Sequence, residues 1–365
     1  MKNVFGNQIT ISLFGESHGE KIGVMIDGLA PGLDVDMDFM RRQLELRKPH
    51  GKISTKRVET DEPIIVSGVF EGKTTGTPVC ILFENHNTKS KDYSKTKDLV
   101  RPGHADFTAI EKYHGYADYR GGGHFSGRIT TPIVAAGAIL IDALKKKGIH
   151  IGTHMKQCGI IFDRPFMNFE EDIKDLSGMI FPVLDDKRAA QMKQYMEDVA
   201  LDGDSIGGIL ETVVIGIPSG VGEPWFDSME SCLAHGIFSI PAVKGVEFGK
   251  GFAFADMKGS EANDAFEMQN GMVATKTNHN GGINGGITNG MPIQFQTVIK
   301  PTPSIYKRQD TIDIAKKENA SLQIEGRHDP AIIHRARVVV DSIAAIVISD
   351  MLAVHYGTDW LAMEE

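Results

Sequence analysis

The chain has 365 residues, 41% of them hydrophobic and 24% charged, with a formal net charge of −9 and a pI near 5.8. That length can bury a large core, and the composition is that of a globular protein rather than a disordered or fibrous one. The acidic balance argues against general nucleic-acid or anionic-membrane binding, so any anion site has to be built locally.

Residues 7–14 alternate as a strand does, and residues 24–26 form a second short strand ending at the turn "DGLAPG". The N-terminal stretch lacks the charged region, apolar run and small-residue cleavage site of a signal peptide. Cys80, Cys158 and Cys232 are too scattered for a disulfide framework and include no CxxC pair. Both features predict a cytoplasmic protein. Asp36 is a predicted N-cap for a helix through Leu46, with Phe39, Met40 and Leu44 on one face. Two strands flank "EGKTTGTP", residues 85–101 read as a lysine-rich surface loop, and Asp106 is predicted to cap a helix running to about Tyr113. The apolar segment 132–144 contains Asp142 and is shorter than the roughly 20 residues of a membrane span, so none is expected.

The second half repeats this order. "MIDGLAPGLDVDMDFMRRQL" is matched by "VVIGIPSGVGEPWFDSMESCL", and "FEGKTTGTPVCILF" by "NGGITNGMPIQFQTV". Chance likeness of strand-turn-helix units is the competing explanation. The self-similarity predicts one domain over residues 1–365 made of two similar halves, about 1–160 and 205–365. Around 170–202 lies an insertion, helical from about Leu184, and residues 335–356 form a long apolar helix. Consecutive strands pair before helices appear, which is an α+β pattern.

Several stretches carry chemistry. "FGESHG" places Ser17 in a G-x-S-x-G spacing beside His18, which admits a serine-hydrolase reading, but the following residues predict a strand and not the helix that a nucleophile elbow needs. A glycine turn with a surface histidine is the plainer alternative. "RPGHAD" puts Arg101 and His104 on a turn into a helix, where an anion is favoured and a histidine can supply it a proton. "YRGGGHFSGRITT" joins Arg120, three glycines, Ser126 and Arg128, allowing close backbone approach and forked grip on an oxyanion. It is neither a Walker loop nor G-x-G-x-x-G. Further on come "HNGGINGGITNG", "IKPTPS" with Lys300, Thr302 and Ser304, and "EGRHDPAIIHRAR" with Arg327 and Asp329. The histidines His18, His104, His124 and His328 lack metal-ligand spacing.

In this order, "GESHG", "VSGVFEGKTTGTP", "RPGHAD", "DYRGGG", "AVKGVEFG", "GGINGGI", "IKPTPSI" and "GRHDP" resemble the chorismate synthase family over nearly the whole chain. The resemblance implies a layered β-α-β sandwich with helices between antiparallel sheets, a homotetramer, and a 1,4-anti-elimination of phosphate from 5-enolpyruvylshikimate 3-phosphate. It implies reduced FMN without net redox change, with NADPH as an indirect reductant or a separate flavin reductase. It assigns protonation of the reduced flavin to His18, proton donation to the departing phosphate to His104, and assistance to flavin N5 to Asp329. Ser17, Arg47, Arg101, Ser126, Arg128 and Arg327 resemble substrate-network positions, and Arg47 and Lys52 the basic entrance associated with NADP. Flavin-contact positions fall on His124, Phe125, Ser126, Pro241, Ala242, Gly285, Lys300, Pro301, Thr302, Pro303, Ser304 and Arg327. Where many relatives read "RSSARET" this chain reads "HFSGRIT", and Pro241 and Pro303 replace an asparagine and a serine. A flavin-binding homologue with lost turnover is therefore the alternative. With histidine in an arginine's place, FMN affinity is expected to fall from mildly acidic to mildly basic pH.

Overall fold

The computed structural model describes residues 2–51, 53–54, 60–86, 98–324 and 329–363. Two five-stranded antiparallel sheets are built from the alternating segments. The first holds β1 (Val4–Phe5), β2 (Thr10–Gly15), β3 (Lys21–Asp27), β4 (Ile64–Ser67) and β5 (Val79–Glu84) in the order β1-β2-β3-β5-β4. The second holds β6 (His150–Cys158), β7 (Ile161–Phe162), β8 (Gly208–Ile215), β9 (Val243–Phe248) and β10 (Ile293–Ile299) in the order β7-β6-β8-β10-β9. From β2 and from β6 the strand order is the same; the matching units therefore divide between α3 and β6, before residue 150, and the insertion lies inside the second unit and not between the halves at about 160 and 205. Along β5 and β10 buried and more exposed residues alternate, as strands with one face on a core require.

Between the sheets lie α1 (Met37–Arg47), α3 (Thr130–Lys146), α6 (Met229–Phe238) and α7 (Ile333–Tyr356). Asp36 caps α1 as expected, accepting from the amides of Asp38 and Phe39. Helices α3 and α7 cross closely: a Cβ on Gly137 would lie 2.3 Å from the Ser342 Cβ. Each has a sheet on one side and the other helix alongside, which explains why nearly every face is apolar. The 24-residue α7 and the helical segment 127–146 are long and apolar enough to span a membrane by composition, more than the 132–144 reading allowed, yet 89% and 83% of their apolar windows are buried within the fold.

Two local expectations are corrected. The insertion contains an additional helix, α4 (Phe169–Leu176), ahead of α5 (Asp186–Leu201); its charged sequence "FEEDIKDL" turns a narrow stripe inward, with Ile173 and Leu176 buried. Asp106 does not cap its helix. It is the first residue of α2 (Asp106–Lys112), and its carboxylate turns back to Arg101 and His104.

Candidate active site

The ends of β2, β3 and β5 in one sheet, and of β6, β8, β9 and β10 in the other, carry the connections that hold most of the sequence-predicted site residues. Ser17 and His18 occupy the tight link between β2 and β3, with Ser17 fully buried and its Oγ 3.2 Å from His18 Nδ1. The Ser17 amide donates to Gly123 O at 3.1 Å, pinning this link to the glycine run. Gly121, Gly122 and Gly123 all have positive φ, conformations in which a side chain is disfavoured. Crowding adds to that constraint. A Cβ on Gly121 would clash with the His18 ring, 2.1 Å from Cε1, whereas one on Gly122 would make ordinary contact with His104 Cε1 at 3.5 Å. Two successive glycines thus lie against the two imidazoles, drawing together residues 86 positions apart in sequence.

Around His104 the geometry is tight. Its Nδ1 is 2.6 Å from Asp106 Oδ1, while Arg101 donates to both Asp106 oxygens at 2.7 Å and through its own amide at 3.0 Å. Burial works to raise the Asp106 pKa, but the hydrogen bonds from Arg101 and His104 win and hold it well below the usual carboxylate range. From the other half, Lys300 Nζ donates to Gly103 O, next to His104. Thr311 Oγ1 donates to Val100 O, and Leu99 bridges to Asp313. A hairpin of the second half (Gln309–Asp313 with Glu318–Leu322) therefore braces the loop that carries the histidine. A cavity of about 520 Å³ opens here, lined by Arg101, His104, Phe107, Asp310 and Ile312 among others.

A second cluster surrounds Arg128. Its guanidinium meets Asp61, Asn85 and the Glu84 carbonyl, and Asp61 also accepts from Arg47 at 2.7 Å. Burial opposes the Asp61 charge, but Arg47 and Arg128 together keep its pKa lowered. Arg47 is pushed down to about 10 by burial, against the pull of Asp61 and with the push of Arg335 and Arg128. Among the described residues its Nε is buried without a hydrogen-bond partner. Arg335 donates to the Arg47 carbonyl at 2.8 Å and to Asp329 Oδ2 at 2.7 Å, tying α1 to the residue singled out in "RHDP".

The remaining positions divide. Ser126 accepts from the Arg128 amide and caps the turn Gly127–Ile129. His124 donates from Nδ1 to Gly15 O at 2.8 Å, and Phe125 packs edge-on to Tyr113. Pro241 precedes Ala242, which is held at φ 75° while its carbonyl accepts from the Lys300 amide. A non-glycine residue in this region costs about 1–2 kcal/mol. Thr302 Oγ1 donates to Asp329 O at 2.8 Å, Pro303 lies against Gly103, and Pro301 and Ser304 continue that segment. Gly285 is not brought to this end: its neighbour Gly286 O accepts from the Met229 amide at the far end of α6, and its hairpin enters β10 at Ile293, a strand length of about 20 Å from Lys300. Lys52 and Arg327 lie outside the described residues. Sequence reasoning missed Asp61 and Arg335, and gave Asp106 the wrong task. The "RPGHAD" spacing, a carboxylate two residues after a histidine, was the one signal available for Asp106. For Ser17 the nucleophile-elbow context is absent, because β3 follows it.

Among the described residues no group of three histidine, cysteine or carboxylate side chains could hold a metal ion. What the site does offer is cationic. Arg47, Arg101, Arg120, Arg128, Lys300 and Arg335 outnumber their carboxylate partners Asp61, Asp106, Asp118 and Asp329.

Known proteins are similar to this chain in both sequence and fold. Residues 9–353 match the family model described as Chorismate synthase. The chain is 46% identical over 348 residues to a chorismate synthase from Thermococcus gammatolerans, covering 95% of this chain and 96% of that one. It is 45% identical over 350 residues to one from Chitinophaga pinensis, covering 96% of each. A solved structure titled Crystal Structure of Chorismate Synthase superposes with a TM-score of 0.74 at 25% identity, covering 97% of this chain and 94% of that chain.

Proposed function

The chain belongs to the chorismate synthase family, and we propose that it acts as a carbon–oxygen lyase, eliminating phosphate 1,4-anti from 5-enolpyruvylshikimate 3-phosphate with reduced FMN bound. The observation that carries this reading is the seating of His18 and His104 against adjacent glycines, Gly121 and Gly122, inside a cationic end of the fold. A substrate with two carboxylates and a phosphate needs such an excess of cations, and so does the phosphate of a flavin mononucleotide. The donor set fits both. Arg47 keeps a buried Nε with no partner among the described residues, while Lys300 and the strained Ala242 bring backbone and charge to the same strand ends.

Bound reduced FMN would contribute electron density toward the departing phosphate and a site for the C6 hydrogen at N5. The chain's own residues do the rest. Arg128 and Arg47, fixed by Asp61, orient the anionic substrate, and Arg101 holds the loop of His104. His104 places a proton at the leaving phosphate oxygen. His18, buried beside Ser17 and close enough to Asp118 for their charges to interact, holds a proton against Gly121, next to the glycine that faces His104. Asp329, oriented by Arg335, supplies a carboxylate from the second half.

The sequence carries no separate dinucleotide fingerprint, which supports a separate flavin reductase drawing on NADPH as the source of reductant. A cytoplasmic homotetramer is the proposed assembly. The test is anaerobic: protein, substrate and chemically reduced FMN should yield chorismate and phosphate in equal amounts, and oxidised FMN should yield neither. FMN binding without turnover would overturn the proposal in favour of the inactive homologue.

A further inference from the structure

Resting on the elimination reading above, we infer that Asp106 is a positioning residue that fixes which nitrogen of His104 faces the leaving phosphate. Asp106 Oδ1 stands 2.6 Å from His104 Nδ1 and 2.7 Å from an Arg101 nitrogen. A carboxylate oxygen only accepts. Were Nδ1 bare, two lone pairs would face each other at hydrogen-bond distance, so Nδ1 carries the proton and donates it to Asp106. Arg101 cannot take over this role. Its own contact with Nδ1, at 3.1 Å, is then two donors sharing one acceptor.

The other nitrogen is consequently the one available for chemistry. Nε2 lies 3.6 Å from where a Gly122 Cβ would stand, so it faces the glycine run beside His18. Arg101 donates three times to Asp106, from its backbone and its guanidinium, which keeps the carboxylate from rotating. In the elimination, the C–O bond to phosphate breaks with its electron pair remaining on oxygen. The doubly protonated ring is the donor: Nε2 gives its proton to that oxygen, leaving the neutral Nδ1–H ring held by Asp106, and the hydrogen lost from C6 balances the proton transferred. Were the tautomer reversed, the neutral ring would already hold its proton on Nε2. It would then cycle through Nδ1, which points away from the substrate.

The same arrangement assigns separate jobs to two neighbours in "RPGHAD". Arg101 orders the carboxylate, and the carboxylate orders the ring. The test uses the full-length protein with Asp106→Asn, His104→Gln and the double variant. Asp106→Asn is expected to lower kcat about 100-fold, the low end of what proton transfer contributes, with KM changed less than threefold. In the His104→Gln background the same change should cost less than threefold. Free of any assay, ¹⁵N NMR of the His104 ring, assigned by its loss in His104→Gln, should show the neutral ring as Nδ1–H in the parent protein and shifted toward Nε2–H in Asp106→Asn. An unchanged tautomer, or an undiminished 100-fold cost in the His104→Gln background, would overturn the inference. A parent protein that makes no chorismate would instead overturn the proposed function and leave the tautomer result standing.

Discussion

The two halves share a strand order and contribute the same layers, yet they treat equivalent connections in opposite ways. Between β2 and β3 the chain spends five residues, 16–20, and buries Ser17 and His18 there. Between β6 and β8 it spends residues 159–207 on a short strand and two helices. The α1–β4 connection is long and carries Asp61, whereas α6 passes to β9 through residues 239–242 alone. Only the connections leading into α3 and α7 are long in both halves, and these supply His104 with the glycine run on one side and Lys300 with Asp329 on the other. A repeated scaffold thus fixes where strand ends meet, while unequal connections decide which half does chemistry and which supports it.

The sharpest way to break this comparison is at the glycines. Gly121→Ala would force a methyl into the His18 ring at φ 59°, and the expected result is a loss of turnover of at least 100-fold in the anaerobic assay, on the scale of losing one acid–base group. Gly285→Ala, at similar φ but with open space around its Cβ, should keep most activity in the isolated chain. Equal losses would mean that the far end of β10 belongs to the site. Next is the first half's buried charge: Asp61→Asn leaves Arg47 and Arg128 unbalanced and should lower stability by about 3–5 kcal/mol in urea unfolding.

The second half should reveal itself through pH. His334, packed on Ser54 and beside Arg335, is held down to about 3 by burial first and then by Arg335. Its folded pKa is depressed, so its stabilising contribution is full above about 6.5 and is lost as pH falls toward 3. Urea midpoints should drop by the equivalent of roughly 3 kcal/mol between pH 7 and pH 4, and His334→Gln should flatten that slope. His154 has the opposite sign. Burial opposes its charge, but hydrogen bonds to Asp163 and Glu211 raise its pKa. Its contribution is present at low pH and lost as pH rises through the folded value. His154→Gln should therefore destabilise by about 1 kcal/mol near pH 6, with a smaller difference at pH 9.

The sequence by itself determined the alternation of β2, strands at β3 and β5, the Asp36 cap of α1, the apolar runs of α3 and α7, and motifs specific enough to give the family. These are local, because each depends on residues two to four apart or on a short ordered string. The tertiary structure alone decided that Asp61 joins two arginines from different elements and that adjacent glycines lie against His18 and His104. It also placed Gly285 a strand's length from Lys300. Those outcomes depend on which loops meet when two sheets close on four helices, and no spacing along the chain encodes a distance across that core.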